Sequence, residues 1–434
     1  MRKMKDSGIE WIGEIPENWD TIRVKHLATE KDTLFLDGDW INSDVIVDEG
    51  IRYLTSGNVG EGVYKEQGKG YISEETFNKL NCLTVYPGDL MISRLNEPVG
   101  RCCIVPEGEK YYVVAVDNVI LRPNHNFHKK YLLYCMNTTG YARAALMAAS
   151  GTTMQRISRT SLGNMAVPVA SYEEQFLIAD CLDQKCAEID AIISAKEKTT
   201  ELLKERRQSI IYEAVTKGLD PTEPMKDSGI EWIGEIPESW NCKKIKYAFS
   251  LVAGATPKSG NEEYWDGDII WITPADYTTE DIYIYEGHKT ITTEGLNSCA
   301  TTMIPEESIV FSKRAPIGLV AINKVPLCTN QGCISCIPNK DIDSKFYYYV
   351  MSAFTKEFDL FGSGTTFKEI SAEAFANFVL PNTRIEEQIE IAEYLDLKCQ
   401  EINDLISSNN ATIEKLKEYR QSVIYEAVTG KVEI

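Results

Sequence analysis

Four histidines (His26, His125, His128, His288) and twelve cysteines are the residues of this chain best suited to metal or nucleophilic chemistry. His125-Asn126-Phe127-His128 has the spacing of a metal pair, but it stands in a polar loop without further ligands and reads as surface. Cys333 and Cys336 form a single CxxC, with Cys328 and Cys299 upstream. A structural zinc site draws on two ligand pairs, and no second pair is evident. Cys333-Ile334-Ser335-Cys336-Ile337 alternates as a buried strand does, so these read as core thiols and no metal site is expected. Gly68-Lys69 resembles the end of a phosphate-binding loop, but the earlier glycine falls one position out and Gly70 replaces the required Ser/Thr. There is no G-x-S-x-G nucleophile elbow and no Asn-Pro-Pro-Tyr-type tetrapeptide of an amino-methylating enzyme. Asp183-Gln184-Lys185 and Asp396-Leu397-Lys398 are acid–base trios on helical stretches, where charged flanks are expected. The side chains assemble no catalytic constellation, which points to a chain that is not itself an enzyme.

The organisation is set by an internal repeat. The stretch from Met4 to Asp20 recurs from Met225 to Asn241 with two differences, Asn18 to Ser239 and Asp20 to Asn241. Gln208-Ser209-Ile210-Ile211-Tyr212-Glu213-Ala214-Val215-Thr216 matches the stretch from Gln421 to Thr429, and Ser150-Gly151-Thr152-Thr153 matches Ser363-Gly364-Thr365-Thr366. Between these near-copies, residues 21–149 and 242–362 share only skeletal features. Tyr53-Leu54-Thr55 aligns with Trp271-Ile272-Thr273, Pro87 to Arg94 with Pro305 to Arg314, and Pro98-Val99-Gly100 with Pro316-Ile317-Gly318. A fixed frame around altered cargo suggests a bipartite reader whose lobes bind different things. Short β-branched runs between Gly, Pro and Asn punctuation make each lobe mixed α/β.

The stretches that follow the lobes are helical, each entered through a proline, Pro168 or Pro381. Leu182, Ile189, Lys196, Leu203 and Ile210 recur every seven residues, as do Leu395, Ile402, Asn409, Leu416 and Val423. Ile192 or Ile193 with Ala214, and Leu405 or Ile406 with Ala427, complete the seams. Two such helices in one chain are expected to pair as an antiparallel intramolecular coiled coil. Lys196 and Asn409, polar at the middle layer, would set its register at a cost in stability. About 43 residues of helix rise ~65 Å, enough to hold two readers one to two turns of B-DNA apart. The expected fold is α+β: two pseudo-symmetric α/β lobes separated by two long antiparallel helices. The expected domains are residues 1–170 and 221–382 as lobes with their connectors, and 171–220 and 383–434 as spacer helices.

Composition narrows the partners. With 43 % hydrophobic and 25 % charged residues the chain is expected to fold, and 45 basic against 65 acidic residues make its net charge −20. That charge argues against a general polyanion binder, but not against a local, sequence-reading contact. The N-terminal residues lack a signal-peptide pattern and no apolar run approaches the ~18 residues of a membrane span, so a cytoplasmic chain with reduced thiols is expected.

The Gly-Ile-Glu-Trp-Ile-Gly-Glu-Ile-Pro-Glu-x-Trp connector, the two divergent lobes and the duplicated Glu-Glu-Gln…Tyr-Glu-Ala-Val-Thr helices resemble the specificity subunit of type I restriction–modification systems. The resemblance covers essentially the whole chain. It implies a non-catalytic subunit in which each lobe is a target recognition domain for one half of a bipartite double-stranded DNA site. It further implies helices that space the halves and dock two methyltransferase subunits, with restriction/translocase subunits joining them. S-adenosylmethionine, ATP and Mg²⁺ would belong to those partners, leaving no cofactor on this chain.

Base reading needs side chains that reach groove edges: Arg or Lys to guanine, Asn or Gln to adenine. The candidates are Ser56, Asn58, Arg94, Asn96, Gln155 and Arg156 in the first lobe, and Thr273, Asp276, Lys313, Arg314, Thr366 and Lys368 in the second. Any of them serves equally well as a solvated loop residue or backbone cap. Arg94 and Arg314 stand out because both precede an x-Pro-x-Gly turn, although either could grip phosphate instead. Trp11, Trp19, Trp232 and Trp240 are candidate partner-docking anchors, set against packing that clasps each lobe to its helix. Two other readings compete: a two-lobed protein-binding scaffold, which suits the acidity, and a fused DNA methyltransferase or nuclease, for which the repeats leave little room.

Overall fold

The computed structural model describes residues 2–95, 98–151, 154–279, 281–364 and 368–433. The chain forms two compact units, Met1–Lys196 with Ala411–Ile434, and Glu197–Asn410. Each unit therefore takes the start of one long helix and the end of the other.

In the first unit the connector is a hairpin, Met4–Asp6 against Glu14–Pro16, with Lys5 opposite Ile15. Asp20–Arg23 then pairs with Ala166–Val169, so the lobe's entry and exit lie side by side. Between them stands a four-stranded antiparallel sheet, in spatial order Leu34–Asp37, Asn118–Arg122, Leu90–Ser93 and Cys102–Ile104. Leu90–Ser93 is buried at all four positions because the sheet is covered on both faces. Leu90, Ile92, Val119 and Leu121 join the main core, while Met91, Cys103 and Ile120 join a smaller one with Leu54, Val85 and Val114. A strand covered on both sides reads as a continuous apolar run, as this one does.

The second unit repeats the plan. Its hairpin is Met225–Asp227 against Glu235–Pro237, and Asn241–Lys244 pairs with Val379–Asn382. A five-stranded sheet runs in the order Phe249–Ala253, Cys333–Pro338, Ile309–Ser312, Val320–Asn323 and Tyr283–Ile284, the last pair parallel. Cys336 faces the main core and Cys333 the smaller one. A CxxC on a strand thus sends its thiols to opposite faces, where they cannot share a metal. All twelve cysteines are free.

The first long helix spans Tyr172–Lys217 and the second Ile385–Val428. In the first unit Leu182 and Cys186 share a core with Ile424, Ala427 and Val428. In the second, Ile211, Ala214 and Val215 share one with Ile391, Leu395 and Cys399. In both cases the start of one helix meets the end of the other, so the helices pack together antiparallel. Of the seam alternatives, Ile193 and Ile406 turn inward, and Ile192 and Leu405 are exposed. The heptad also contains an unforeseen pair of arginines. Arg207 Nη1 donates to Asn403 Oδ1 at 2.6 Å, and Arg420 Nε lies 3.0 Å from Asp190 Oδ1, at matching positions of the two copies. Lys196 is half-buried and Asn409 buried.

The near-identical residues of the frame clasp each lobe to its helix. Gln175 Oε1 accepts from the His128 N–H at 2.8 Å, and Gln388 Oε1 from the Asp343 N–H at 2.9 Å. Asp183 takes the Tyr134 hydroxyl and the Lys130 ammonium, and Asp396 takes the Tyr349 hydroxyl and the Lys345 ammonium. The acid–base trios noted in the sequence are thus half of a structural clasp. Among the described residues no helix is long and apolar enough to cross a membrane.

Candidate nucleic-acid interface

Each lobe carries one turn closed by matching backbone hydrogen bonds but carrying side chains that differ from those of its counterpart. In the first lobe Leu90–Ser93 leads into residues 94–101, closed by Gly100 N–H to Ser93 O at 2.8 Å and Ser93 N–H to Arg101 O at 2.9 Å. In the second, Gly318 N–H to Ser312 O at 2.9 Å and Ser312 N–H to Leu319 O at 2.8 Å close the same turn one residue shorter. Gly100 and Gly318 have φ of +83° and +91°, and a Cβ on either would press on a later helical residue, Ala145 or Thr355.

A second segment runs antiparallel beside this turn. Leu95 bridges to Arg156 and Arg314 to Glu369, while Ile157 N–H donates to Arg94 O and Ile370 N–H to Lys313 O. These pairings correct the alignment drawn from sequence. Arg94 corresponds to Lys313, Leu95 to Arg314, and Arg156 to Glu369, because the second turn lacks one residue.

The geometry sorts the candidates. Arg94 is 7 % exposed, its Nη2 donating to Val116 O at 2.6 Å and its Nε lying 3.3 Å from Asp37 Oδ1. Burial pulls its pKa down against the pull of Asp37. It braces the lobe from inside, its guanidinium turned to Val116 O and Asp37 rather than outward. Asn58 is buried, accepting from the Thr55 N–H at 2.8 Å and donating to Gln67 O at 2.8 Å. Asp276 accepts from the Thr273 N–H and hydroxyl and from His288. Burial pushes the Asp276 carboxyl up, but the hydrogen bonds from His288 and Thr273 leave it below its usual value. Asn58 and Asp276 therefore close matching capping boxes with Thr55 and Thr273, and the caps explain all four side chains. Ser56 is half-buried, its carbonyl accepting from Arg101 Nη2 at 2.9 Å.

The remaining candidates lie at the paired turns. Arg156 is exposed and its Nη2 is 2.9 Å from Asp117 Oδ1; Gln155 beside it is half-buried. Glu369 receives Lys313 Nζ at 2.7 Å on one oxygen and Arg314 Nε at 2.8 Å on the other, and these two cations hold its pKa down. Lys368 Nζ donates to Asp359 Oδ2 at 2.6 Å. Asn96 and Thr366 lie outside the described residues. Sequence reasoning missed Asp37, Asp117, Arg159 and Glu369, which hold or accompany these cations, and Arg101, whose guanidinium ties Ser56 O and Val59 O to Leu95 O. An Arg directly after Pro98-Val99-Gly100 gives no local signal of that role.

The tryptophans divide into two kinds. Trp19 and Trp240 are buried in the two main cores, and Trp240 Nε1 donates to Glu387 Oε1 at 3.0 Å. Neither can serve as an exposed anchor, because each joins connector, lobe and helix from within. Trp11 and Trp232 are half-buried, against Tyr141 in one lobe and Phe361 and Phe378 in the other. Beside them the matching residues Met147 and Leu360 are 75 % and 80 % exposed. A cavity of about 430 Å³ opens between Trp11, Gly140, Met147 and Tyr425.

The other sequence motifs are engaged in contacts within the protein. Arg52 Nη2 and Nη1 take the carbonyls of Gly68 and Gly70, at 2.5 and 3.0 Å, so this loop presents its acceptors inward rather than a cradle of N–H donors. His125 is exposed beside Glu30, whereas His128 packs edge-on against Tyr172 and Phe176. Among the described residues no three His, Cys, Asp or Glu side chains cluster to hold a metal.

A family model described as the type I restriction modification DNA specificity domain matches residues 16–203 and 237–415, most of the chain. A 193-residue match to the type I restriction enzyme MjaIX specificity subunit of Methanocaldococcus jannaschii is 38 % identical, covering 42 % of this chain and 43 % of that one. The putative MjaX specificity subunit of the same organism is 25 % identical over 98 % of this chain and 96 % of its own. Among solved structures, a chain from work on complex assembly and conformational transition of the type I R-M system aligns with a TM-score of 0.75 at 15 % identity, covering 96 % of this chain and 99 % of that one. The HsdS subunit from Thermoanaerobacter tengcongensis aligns with a TM-score of 0.54 at 15 % identity, covering 96 % and 98 %. At that identity these two show likeness of fold.

Proposed function

Because the chain belongs to the type I restriction–modification DNA specificity family, we propose that each of its lobes reads one half of a bipartite double-stranded DNA site. A specificity subunit is the non-catalytic member of its complex, so the reaction chemistry lies with partner subunits. The observation that carries the reading is the contrast within each lobe. The connector hairpins repeat with two differences and Gln175 and Gln388 make matching clasps, while the matching turns place their charges differently.

In this reading the antiparallel helices set the separation of the half-sites, with Lys196 and Asn409 fixing their register. Two methyltransferase subunits dock on the repeated frame, because two like partners need two like surfaces. Trp11 with Met147 and Trp232 with Leu360 supply the apolar part of those surfaces. Restriction/translocase subunits join the assembly, which works in the cytoplasm, and S-adenosylmethionine, ATP and Mg²⁺ bind to the partners. A net charge of −20 suits a subunit that reads bases while its partners supply most of the phosphate grip.

The test is a lobe exchange. Replacing residues 21–160 with the corresponding lobe of a relative should change one half of the methylated motif and leave the other intact. An unchanged motif, mapped by sequencing genomic methylation, would refute the assignment.

A further inference from the structure

The paired turns differ in a patterned way. Across the first bridge Leu95 faces Arg156, and Asp117 supplies the carboxylate. Across the second, Arg314 faces Glu369, which supplies the carboxylate itself. Asp117 corresponds to Gly332, since Arg94 N–H bonds to Asp117 O as Lys313 N–H does to Gly332 O. The second lobe has thus lost one acid and gained another, and its cation stands on the opposite side of the bridge. In both lobes the arginine stays outward, with side chains 46 % and 45 % exposed, while its neighbour Arg94 or Lys313 is drawn inward to 8 % and 15 %.

Drift alone would be expected to leave an unpaired charge or remove both members. Here Arg156 and Arg314 each stand outward beside a carboxylate, on opposite sides of the matching bridges, and the first lobe adds Arg159, 41 % exposed, against Asp37. An arginine held on one side presents its remaining N–H donors in a restricted direction, which is the condition for bidentate recognition of guanine O6 and N7. Moving it across the bridge moves that donor fork relative to the lobe, and so changes which base edge it meets.

We infer that Arg156 and Arg314 are the specificity-determining cations of their lobes, each reading a guanine, and that Asp117 and Glu369 are positioning residues that aim them. The inference rests on the DNA-reading assignment above.

The experiment uses the full chain assembled with its methyltransferase partner, acting on duplex oligonucleotides randomised in both half-sites, with methylated products sequenced. Arg156→Ala should lose about tenfold to a hundredfold of discrimination at one base pair of one half-site, leaving the other half-site unaltered. Arg314→Ala should do the same in the other half-site only. Arg156→Lys and Arg314→Lys keep the charge but not the fork, and should lose discrimination at those same base pairs. Asp117→Asn and Glu369→Gln should blur the positions their arginines read, with the salt dependence of methylation unaltered.

If the Lys variants keep full discrimination, the inference is overturned, and this arm decides even where the Ala variants fail to fold. A uniform fall in methylation across all sequences, with a shallower salt slope, would also overturn it, since that marks phosphate contacts. The lobe exchange separates the two levels. A half-site that changes on exchange but ignores Arg156→Lys leaves the DNA-reading assignment standing and removes only this one.

Discussion

Gln388→Ala should destabilise the second unit by about 2–6 kcal/mol, from two backbone groups left unpaired at about 1–3 kcal/mol each. Gln388 is fully buried. Its Oε1 accepts from the Asp343 N–H at 2.9 Å, and its Nε2 donates to Thr383 O at 2.7 Å and to Asp341 O at 3.3 Å. Asp341 is exposed and its carbonyl can turn to water, whereas Thr383 is buried. The Asp343 N–H and the Thr383 carbonyl therefore carry the loss. Gln388→Met separates hydrogen bonding from packing, because it keeps the side-chain length and removes both polar partners. Urea unfolding followed by tryptophan fluorescence reports the unit through Trp240, and hydrogen exchange at the Asp343 amide reports the clasp itself. Both variants should lower the urea midpoint and speed that exchange. A Met variant as stable as the parent would refute the reasoning, since packing would then account for the glutamine.

Trp240→Ala should cost about 3–5 kcal/mol as a fully buried aromatic lost from the core, and the half-buried Trp232→Ala clearly less; equal shifts in urea midpoint would contradict the division between core and surface tryptophans. Burial pushes the Cys333 thiol up from 9.0 to about 12, so above pH 9 the unfolded chain sheds a proton that the folded chain keeps. The stability tied to that thiol is complete below pH 9 and falls as pH rises toward about 12. Urea midpoints from pH 8 to 10.5 should therefore decline less in Cys333→Ala than in the parent. Inserting one heptad into each long helix should lengthen the gap between half-sites in the methylated motif without altering their sequences; altered half-sites with an unchanged gap would defeat the spacer role.

Much of the fold was legible because its signals are local or repeated. Leu182, Ile189, Leu395 and Ile402 announced the helical seams by their period alone, and all four are buried. Short apolar and β-branched runs between Gly, Pro and Asn announced strands in each lobe, Leu90–Ser93 among them. That its sheet is covered on both faces came only from the packing. The candidate interface was legible as a region but not as residues. Asn58 and Asp276 carry the right chemistry for bases, yet the same chemistry caps a backbone turn, and the turn claims it. Arg94 stood out in sequence because it precedes an x-Pro-x-Gly turn. Its guanidinium is drawn in by Val116 O, 22 residues away, and by Asp37 from another strand.

By itself the sequence determined that this protein is a duplicated frame with two divergent lobes and two heptad helices, because repeats and periods are properties of order along the chain. Only the tertiary structure decided that Arg94 matches Lys313 rather than Arg314, and that Asp117 and Glu369 hold the outward arginines. One missing residue in a turn shifts every later pairing by one position. Which carboxylate then meets which guanidinium depends on strands that are neighbours in space and distant in sequence.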